Sequence, residues 1–475
     1  MSASELAVRV REVLDVDAEA FRVAAREEAE ELKAEVAAGT FDNSQALIGL
    51  ELELYAVAEP TDGLRRVPRQ LLGLIGFEKE LGLHNAEMQT SPEPLTSYGL
   101  DAQLKELQAH LAPAIEKTST EDIRLATNMS DAIRYHAMAN TDYPSGMTID
   151  APHVSLEAET IMLESLITSI QPHYQVPHAP DIPEYFRYAL RVAGPLLALG
   201  VNAPFFPPDL YDDAPDADIV ADAHMEHRIG VFESVLNPPE DADGAPKVCF
   251  PPDFDSVEAV IDDIFSDALI VPQDVTAADR FDDAFMHLRH KHGSYWRWVR
   301  PVFEAPSRSS ANARIEFRPL PAQPTLRDSV AFEAVFAGLM ESLPRREHPV
   351  RQLDWETAEA NFYSAARDGL RADLEWITSD GTETTAIDQI CAECLEYARD
   401  GLELRGLSTE DARRYIRPLR ERLDRRTTPA RWKHEIVRER VENNVPLPEA
   451  IWGMQAVYID NQRSSLIEGC FTDWL

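Results

Sequence analysis

Residues 49–55 read Gly-Leu-Glu-Leu-Glu-Leu-Tyr, an alternation of apolar and acidic side chains. A period of two does not suit an amphipathic helix. It places Leu50, Leu52 and Leu54 on one side of a β-strand and Glu51 and Glu53 on the other. The leucines need a core to cover them, while the two carboxylates stand roughly 7 Å apart on the opposite face at the rise of an extended chain. Carboxylates so placed either face water, as in an ordinary half-buried strand, or repel each other unless a cation lies between them. The motif alone leaves both readings open.

Similar alternations recur downstream. Residues 167–176 read as a strand closed by Pro177, in which Gln171, His173 and Gln175 share a face. A lone strand histidine is more often structural than a ligand. In Arg314-Ile-Glu-Phe-Arg318, Arg314, Glu316 and Arg318 share a face with Ile315 and Phe317 behind. Residues 295–303 supply Arg300 on a candidate partner strand, and residues 85–90 form a short strand carrying Glu87. Together these describe a sheet with carboxylates, an imidazole and guanidiniums on one face. Hard oxygen ligands and arginines suit Mg²⁺ ions on a nucleoside triphosphate. Neither G-x-G-x-x-G nor G-x-x-x-x-G-K-[ST] occurs, so no glycine-rich phosphate cradle is expected.

The remaining chain reads mostly as helix. Residues 5–36 are expected to form helix, with a break at Gly39-Thr40, residues 59–63 a turn, and residues 100–117 an amphipathic helix. Residues 182–198 form a helix after Asp181 with Pro183 in its first turn, and residues 204–218 a Pro/Asp-rich loop. From about residue 355 the chain is helix after helix. The predicted class is α+β, with an N-terminal helical segment (1–40), a catalytic α+β domain (41–345) and a helical C-terminal region (346–475) packed on it.

Charge and cysteine content narrow the function. Among 475 residues, 83 are Asp or Glu against 45 Lys or Arg, a formal charge of −38. That surface repels phosphate backbones, so nucleic acid is not an expected partner. With 44% hydrophobic residues the chain can bury a sizeable core, which excludes wholesale disorder. Only seven of the basic residues are Lys, and the acids are dispersed. This is the pattern a salt-filled cytoplasm favours, whereas a docking surface for a basic partner would be a localised block. The four cysteines make no disulfide framework. Cys391-Ala-Glu-Cys394 has CxxC spacing but lies within a helical run, and reads as buried thiols before zinc. There is no apolar leader and no run of ~18 apolar residues, so a cytoplasmic protein without membrane spans is expected.

In order along the chain, several segments resemble the glutamate–cysteine ligase family, in its bacterial and archaeal carboxylate–amine ligase branch. Gly-Leu-Glu-Leu-Glu from Gly49 is similar to the family's G-V-E-x-E strand, and Glu87 to Thr90 to its second acidic strand. His173-Tyr-Gln-Val with Pro180-Asp181 resembles H-V-H-V…P-D, and residues 194–205 resemble the helix ending in A-L-S-A-N-S-P-F. Trp298-Val-Arg-Pro301 resembles W-D-I-R-P, residues 314–318 resemble T-x-E-x-R, and residues 361–370 resemble E-N-R-W-x-A-x-R-x-G-L. Three positions depart from the pattern: Gln175 replaces the second histidine, Ala203 the serine of S-P-F, and Arg314 the threonine.

The resemblance implies a glutamine-synthetase-like curved antiparallel sheet backed by helices. It implies that Glu51, Glu53, Glu87, His173 and Glu316 bind two or three Mg²⁺ ions. It also implies that Arg300 and Arg318 contact ATP or an acyl phosphate, with Arg228 and Gln175 as further cofactor-binding candidates. The implied reaction is ATP-dependent joining of glutamate to cysteine, or to another amine, through γ-glutamyl phosphate. A guanidino kinase resembles the same sheet and is the rival enzyme; a non-catalytic relic has no reason to keep mutually repelling acids. The acceptor, the general base and the oligomeric state, a homo-oligomer included, stay open.

Overall fold

The alternating segment forms strand β1 (Leu47–Tyr55) in the computed structural model, with Ile48, Leu50 and Leu52 buried. The structure describes residues 3–56, 77–118, 147–158, 161–237 and 245–475, together with Leu64, Val67 and Leu72. The turn expected at residues 59–63 lies outside the described residues.

Strands β2 (Glu78–Lys79), β3 (Asn85–Gln89) and β4 (Glu93–Pro94) follow, and β5 (Met147–Ala151) and β6 (Val154–Ala158) form a separate hairpin. Strand β7 (Ile170–Val176) and the hairpin of β8 (Val299–Glu304) with β9 (Asn312–Phe317) complete a seven-stranded sheet. Its order is β2-β3-β1-β7-β9-β8, with β4 paired to β1, and every pairing is antiparallel. The expected α+β class with an antiparallel sheet is what the chain adopts.

The N-terminal helical stretch expected over residues 5–36 is two helices, α1 (Ala3–Leu14) and α2 (Ala18–Ala37). Asp17 divides them: its carboxylate accepts from the amides of Glu19 and Ala20 at 2.9 and 3.1 Å, starting a new helix where apolar spacing alone continues the old one. Next come α3 (Ser97–Thr118) and α4 (Ile182–Gly200), the latter with Pro183 in its first turn. The Pro/Asp-rich loop runs into α5 (Asp216–Asp222), followed by α6 (His227–Leu236), α7 (Val257–Ser266) and α8 (Met286–His292).

Helix α9 (Leu326–Ser342) is apolar on nearly every side because it is covered on every side. It packs on β1 and β7 and against two of the last five helices, α10 (Trp355–Asp368), α11 (Ile387–Leu404), α12 (Thr409–Asp424), α13 (Pro429–Glu442) and α14 (Leu447–Ser465), namely α11 and α12. Phe336 of α9 stacks on Phe317 of β9, ring centroids 4.5 Å apart. With α4 lying against β8 and β9, the sheet's apolar face is closed and its polar face is left for chemistry. Gly194 lets α4 approach α10 closely, since a Cβ there would lie 3.0 Å from the Asn361 carbonyl carbon.

A short hairpin, β10 (Trp376–Ile377) with β11 (Glu383–Thr384), interrupts the otherwise helical C-terminal run. One apolar cluster extends from Val10 to Ala430, so helices as far apart as α1 and α13 contribute to the core that supports the sheet, while α14 packs in a second cluster with Ile219, Val220 and Val437. Arg422 of α12 enters that core fully buried, 2.7 Å from Asp328 and bonded to the Leu199 carbonyl and Gln323. Cys391 and Cys394 lie one turn apart on α11, both buried, and burial pushes the Cys391 thiol up to about 12. Both thiols are free and buried, as the helical run around them led one to expect. Among the described residues no helix is long and apolar enough to cross a membrane.

Glu333 of α9 lies wholly in the core, and burial pushes its carboxyl up to about 8 against a smaller opposing contact with Gln103. The folded protein therefore keeps a proton that the unfolded chain releases near 4.5, and stability falls as pH rises between those values. Glu333→Gln should remove up to about 1.4 kcal/mol per pH unit of that slope, measured by denaturant melts between pH 5 and 9. An unchanged slope would refute the protonated state.

Candidate active site

Register turns the separate alternations into one constellation. Antiparallel neighbours project to the same face, so paired residues become lateral neighbours. Glu53 pairs with Glu87, and Glu51 with Gln89 and Gln171. His173 pairs with Glu316, which pairs with Arg300; Gln175 pairs with Arg314. The face is thus acidic toward β3 and basic toward β8, with Glu51 and His173 at the join.

On the basic side, Glu316 is 1% exposed and lies between two guanidiniums, with Arg300 Nε 2.8 Å and Arg318 Nη1 3.2 Å from its Oε1. Burial alone would push its carboxyl up, but Arg300 and Arg318 outweigh it and hold the carboxyl far below the usual range. Arg300 also reaches the carbonyls of His292 and Tyr295, and Arg318 lies over the Phe232 ring. Arg314 donates from Nε to His173 Nδ1 at 3.0 Å and from Nη1 to Glu304 and Asn312. The other ring nitrogen, Nε2, lies 3.3 Å from Glu51 Oε1, without the alignment of a formed hydrogen bond.

On the acidic side, carboxylate oxygens of Glu53, Glu80 and Glu87 lie within 4.8 Å of one another, with Glu87 buried and the others partly so. Burial pushes Glu53 up to about 8, helped by the charges of Glu87 and Glu164. Burial likewise raises Glu80 well above its ordinary value, with Glu87 and Glu53 adding to it, and raises Glu87, with Glu51 adding. Only part of this charge is answered locally: Glu53 accepts from the Gln171 side-chain amide at 3.0 Å and the Ser169 backbone amide at 2.7 Å, Glu87 from the Gln89 side-chain amide, and Glu80 from the Leu81 backbone amide. Glu80 escaped the sequence reading because β2 is two residues long and shows no periodicity. Its one trace was the spacing of Glu78 and Glu80.

Two expected cofactor-binding residues serve the backbone. Gln175 Nε2 donates to the carbonyls of Asn43 and Gln45, bracing the chain that leads into β1. Arg228 is buried at the start of α6, over the Trp298 ring, and donates to the carbonyls of Arg318 and Pro319 at 2.9 and 2.6 Å. It thus grips the backbone that presents Arg318, and burial lowers its pKa to about 10. Glu226 caps the same helix and accepts from the Asn202 amide at 2.8 Å, while Lys433 of α13 donates to the Asn202 carbonyl at 2.8 Å. A C-terminal helix is therefore bonded, through Asn202, Glu226 and Arg228, to the arginine end of the site.

The profile of glutamate-cysteine ligase family 2 matches residues 47–447, from the first residue of β1 to the start of α14. The chain belongs to that family. It is therefore a carboxylate–amine ligase acting on small molecules. A crystal structure of a glutamate–cysteine ligase from Francisella tularensis in complex with AMP is similar over 89% of this chain and 94% of that one, with TM-score 0.53 and 16% identity. A bifunctional glutathione synthetase from Pasteurella multocida is similar over 92% of this chain and 55% of its own, with TM-score 0.49 and 12% identity. No curated protein matches the ligase in sequence. At such identity the Francisella structure shows a shared fold, which is the expected glutamine-synthetase-like one.

Proposed function

We propose that the ligase joins the γ-carboxylate of glutamate to an amine, cysteine in the first instance, using ATP and passing through γ-glutamyl phosphate. The observation that carries this reading is one sheet face holding three clustered carboxylates beside a buried Glu316 flanked by Arg300 and Arg318.

The acids fit a hard divalent cation. Three carboxyls driven upward by burial and mutual repulsion are stable together either protonated or around positive charge. Glu53, Glu80 and Glu87 would hold Mg²⁺, with Glu51 and Glu316 flanking. The bound ion would screen the repulsion between a carboxylate and a triphosphate. Arg318 uses Nη1 on Glu316 and keeps further N–H groups for phosphoryl oxygens; Arg300 stands beside it. Glu316 holds both guanidiniums in place before substrate arrives, so little reorganisation is needed when charge shifts during phosphoryl transfer. The AMP complex of the Francisella enzyme supports an adenine nucleotide as the energy source.

The dispersed acidity supports a halophilic, cytoplasmic setting, so assays belong in concentrated KCl. Release of inorganic phosphate from ATP should require both glutamate and an amine, with cysteine the best acceptor in a panel. Phosphate retained on the acceptor would instead mark a kinase and overturn the ligase mechanism.

A further inference from the structure

We propose that in this chain His173 is not a metal ligand but carries its proton on Nε2, the nitrogen turned toward Glu51, locked in that tautomer by Arg314, and that carboxylates alone carry the divalent cation. This deepens the metal reading above and rests on it.

The argument begins with what each group can donate. A guanidinium is always protonated and has no acceptor, so the Arg314 Nε contact at 3.0 Å requires a lone pair on His173 Nδ1. A neutral imidazole then carries its single proton on Nε2, the atom 3.3 Å from Glu51 Oε1. A nitrogen bearing a proton has no lone pair for a cation. Metal-bound histidines show the reverse arrangement, in which the distal nitrogen donates to a carboxylate or carbonyl. Here the distal nitrogen faces a donor.

Arg314 is not free to turn aside. Its Nη1 is held by Glu304 at 2.8 Å and by Asn312 at 3.0 Å, both near the far end of the β8–β9 hairpin. His173 is 7% exposed, so water does not readily substitute. Position 314 is also where the chain departs from T-x-E-x-R. A threonine hydroxyl can accept as well as donate and would permit a proton on Nδ1; arginine forbids it. The two states differ only in which nitrogen holds the proton, and no proton is gained or lost. Arg314 is thus a positioning residue, acting through the tautomer of His173.

The test reads the proton directly. Metal-free protein labelled with ¹⁵N-histidine is examined by two-bond ¹H–¹⁵N correlation, with the His173 signals assigned by their loss in His173→Asn. The expected result is a bare Nδ1 and a protonated Nε2, with the pattern reversed or mixed in Arg314→Thr. A protonated Nδ1 in the unaltered protein overturns the proposal. Labelled protein loaded with Mn²⁺ is then examined by electron spin-echo envelope modulation. No directly bound histidine nitrogen is expected in the unaltered protein, and one should appear in Arg314→Thr. A bound nitrogen in the unaltered protein refutes the exclusion of His173 from the metal, and its continued absence in Arg314→Thr refutes the lock. Failure of Mn²⁺ to bind at all would overturn the metal reading, while the metal-free spectrum would still decide the tautomer.

Discussion

Glu316→Gln should lower ligase turnover by about 100- to 1000-fold, the effect of removing one preorganised charged contact, and should also destabilise the fold. Glu316 is buried between Arg300 and Arg318, and its negative charge is what lets two guanidiniums share one wall of the site. Glutamine keeps the shape and one accepting oxygen but removes the charge, leaving the arginines to repel each other in a poorly solvated place. Breaking a buried pair from one side costs about 3–5 kcal/mol, and the denaturation midpoint should fall accordingly. The wild-type carboxyl is held far below the usual range, so its contribution is full at neutral pH and is lost only as pH falls through its depressed folded value. Steady-state kinetics and urea melts at pH 7.5 test both halves. Turnover within tenfold of the unaltered enzyme would remove Glu316 from the mechanism.

Glu53→Gln should abolish turnover as well, with the opposite effect on stability in the absence of metal. Glu53 is raised to about 8, and Glu80 and Glu87 are raised beside it. In EDTA the native state retains protons that the unfolded chain has released, so stability declines as pH climbs from about 4.5 through 8, by up to about 1.4 kcal/mol per unit for each such group. Removing one acid relieves that decline, and the variant should be the more stable protein at pH 8–9 in EDTA. Added Mg²⁺ should reverse the order, since cation binding stabilises only the chain that keeps all its ligands. Calorimetric titration with Mg²⁺ and melts with and without EDTA provide the check. A variant that binds Mg²⁺ as tightly as the unaltered protein, or is less stable without metal, would sink the assignment.

The two variants separate the halves of the site. Glu316 is a carboxylate over-supplied with positive charge, whereas Glu53 is one starved of it. Both are strand glutamates in alternating segments and look alike in sequence. Their electrostatic character comes from the neighbours the sheet gives them, arginines on β8 and just beyond β9 in one case and glutamates on and beside β2 and β3 in the other.

Much of the arrangement was legible beforehand because it is local. Glu51 with Glu53, and Arg314 with Glu316 and Arg318, share faces by the two-residue period of a strand. The strands β1, β3, β7, β8 and β9 were each visible as such segments. What was not legible has physical causes. The split between α1 and α2 depends on one capping carboxylate, Asp17, amid continuous helical spacing. Glu80 follows a strand too short to show a pattern. The tethering of α13 to Asn202 and of α12 to Asp328 joins residues more than 90 positions apart, and no periodicity records such pairs.

By itself, then, the sequence determined which side chains share a strand face, how much core the chain can bury, and which family motifs it carries. Alternation, composition and short motifs are properties of neighbouring residues. Only the tertiary structure decided that Glu53 faces Glu87 across a strand pair, that Glu80 joins them, and that Arg314 meets His173. Register and packing arise from contacts distant in sequence, and the electrostatics of each group follow from them.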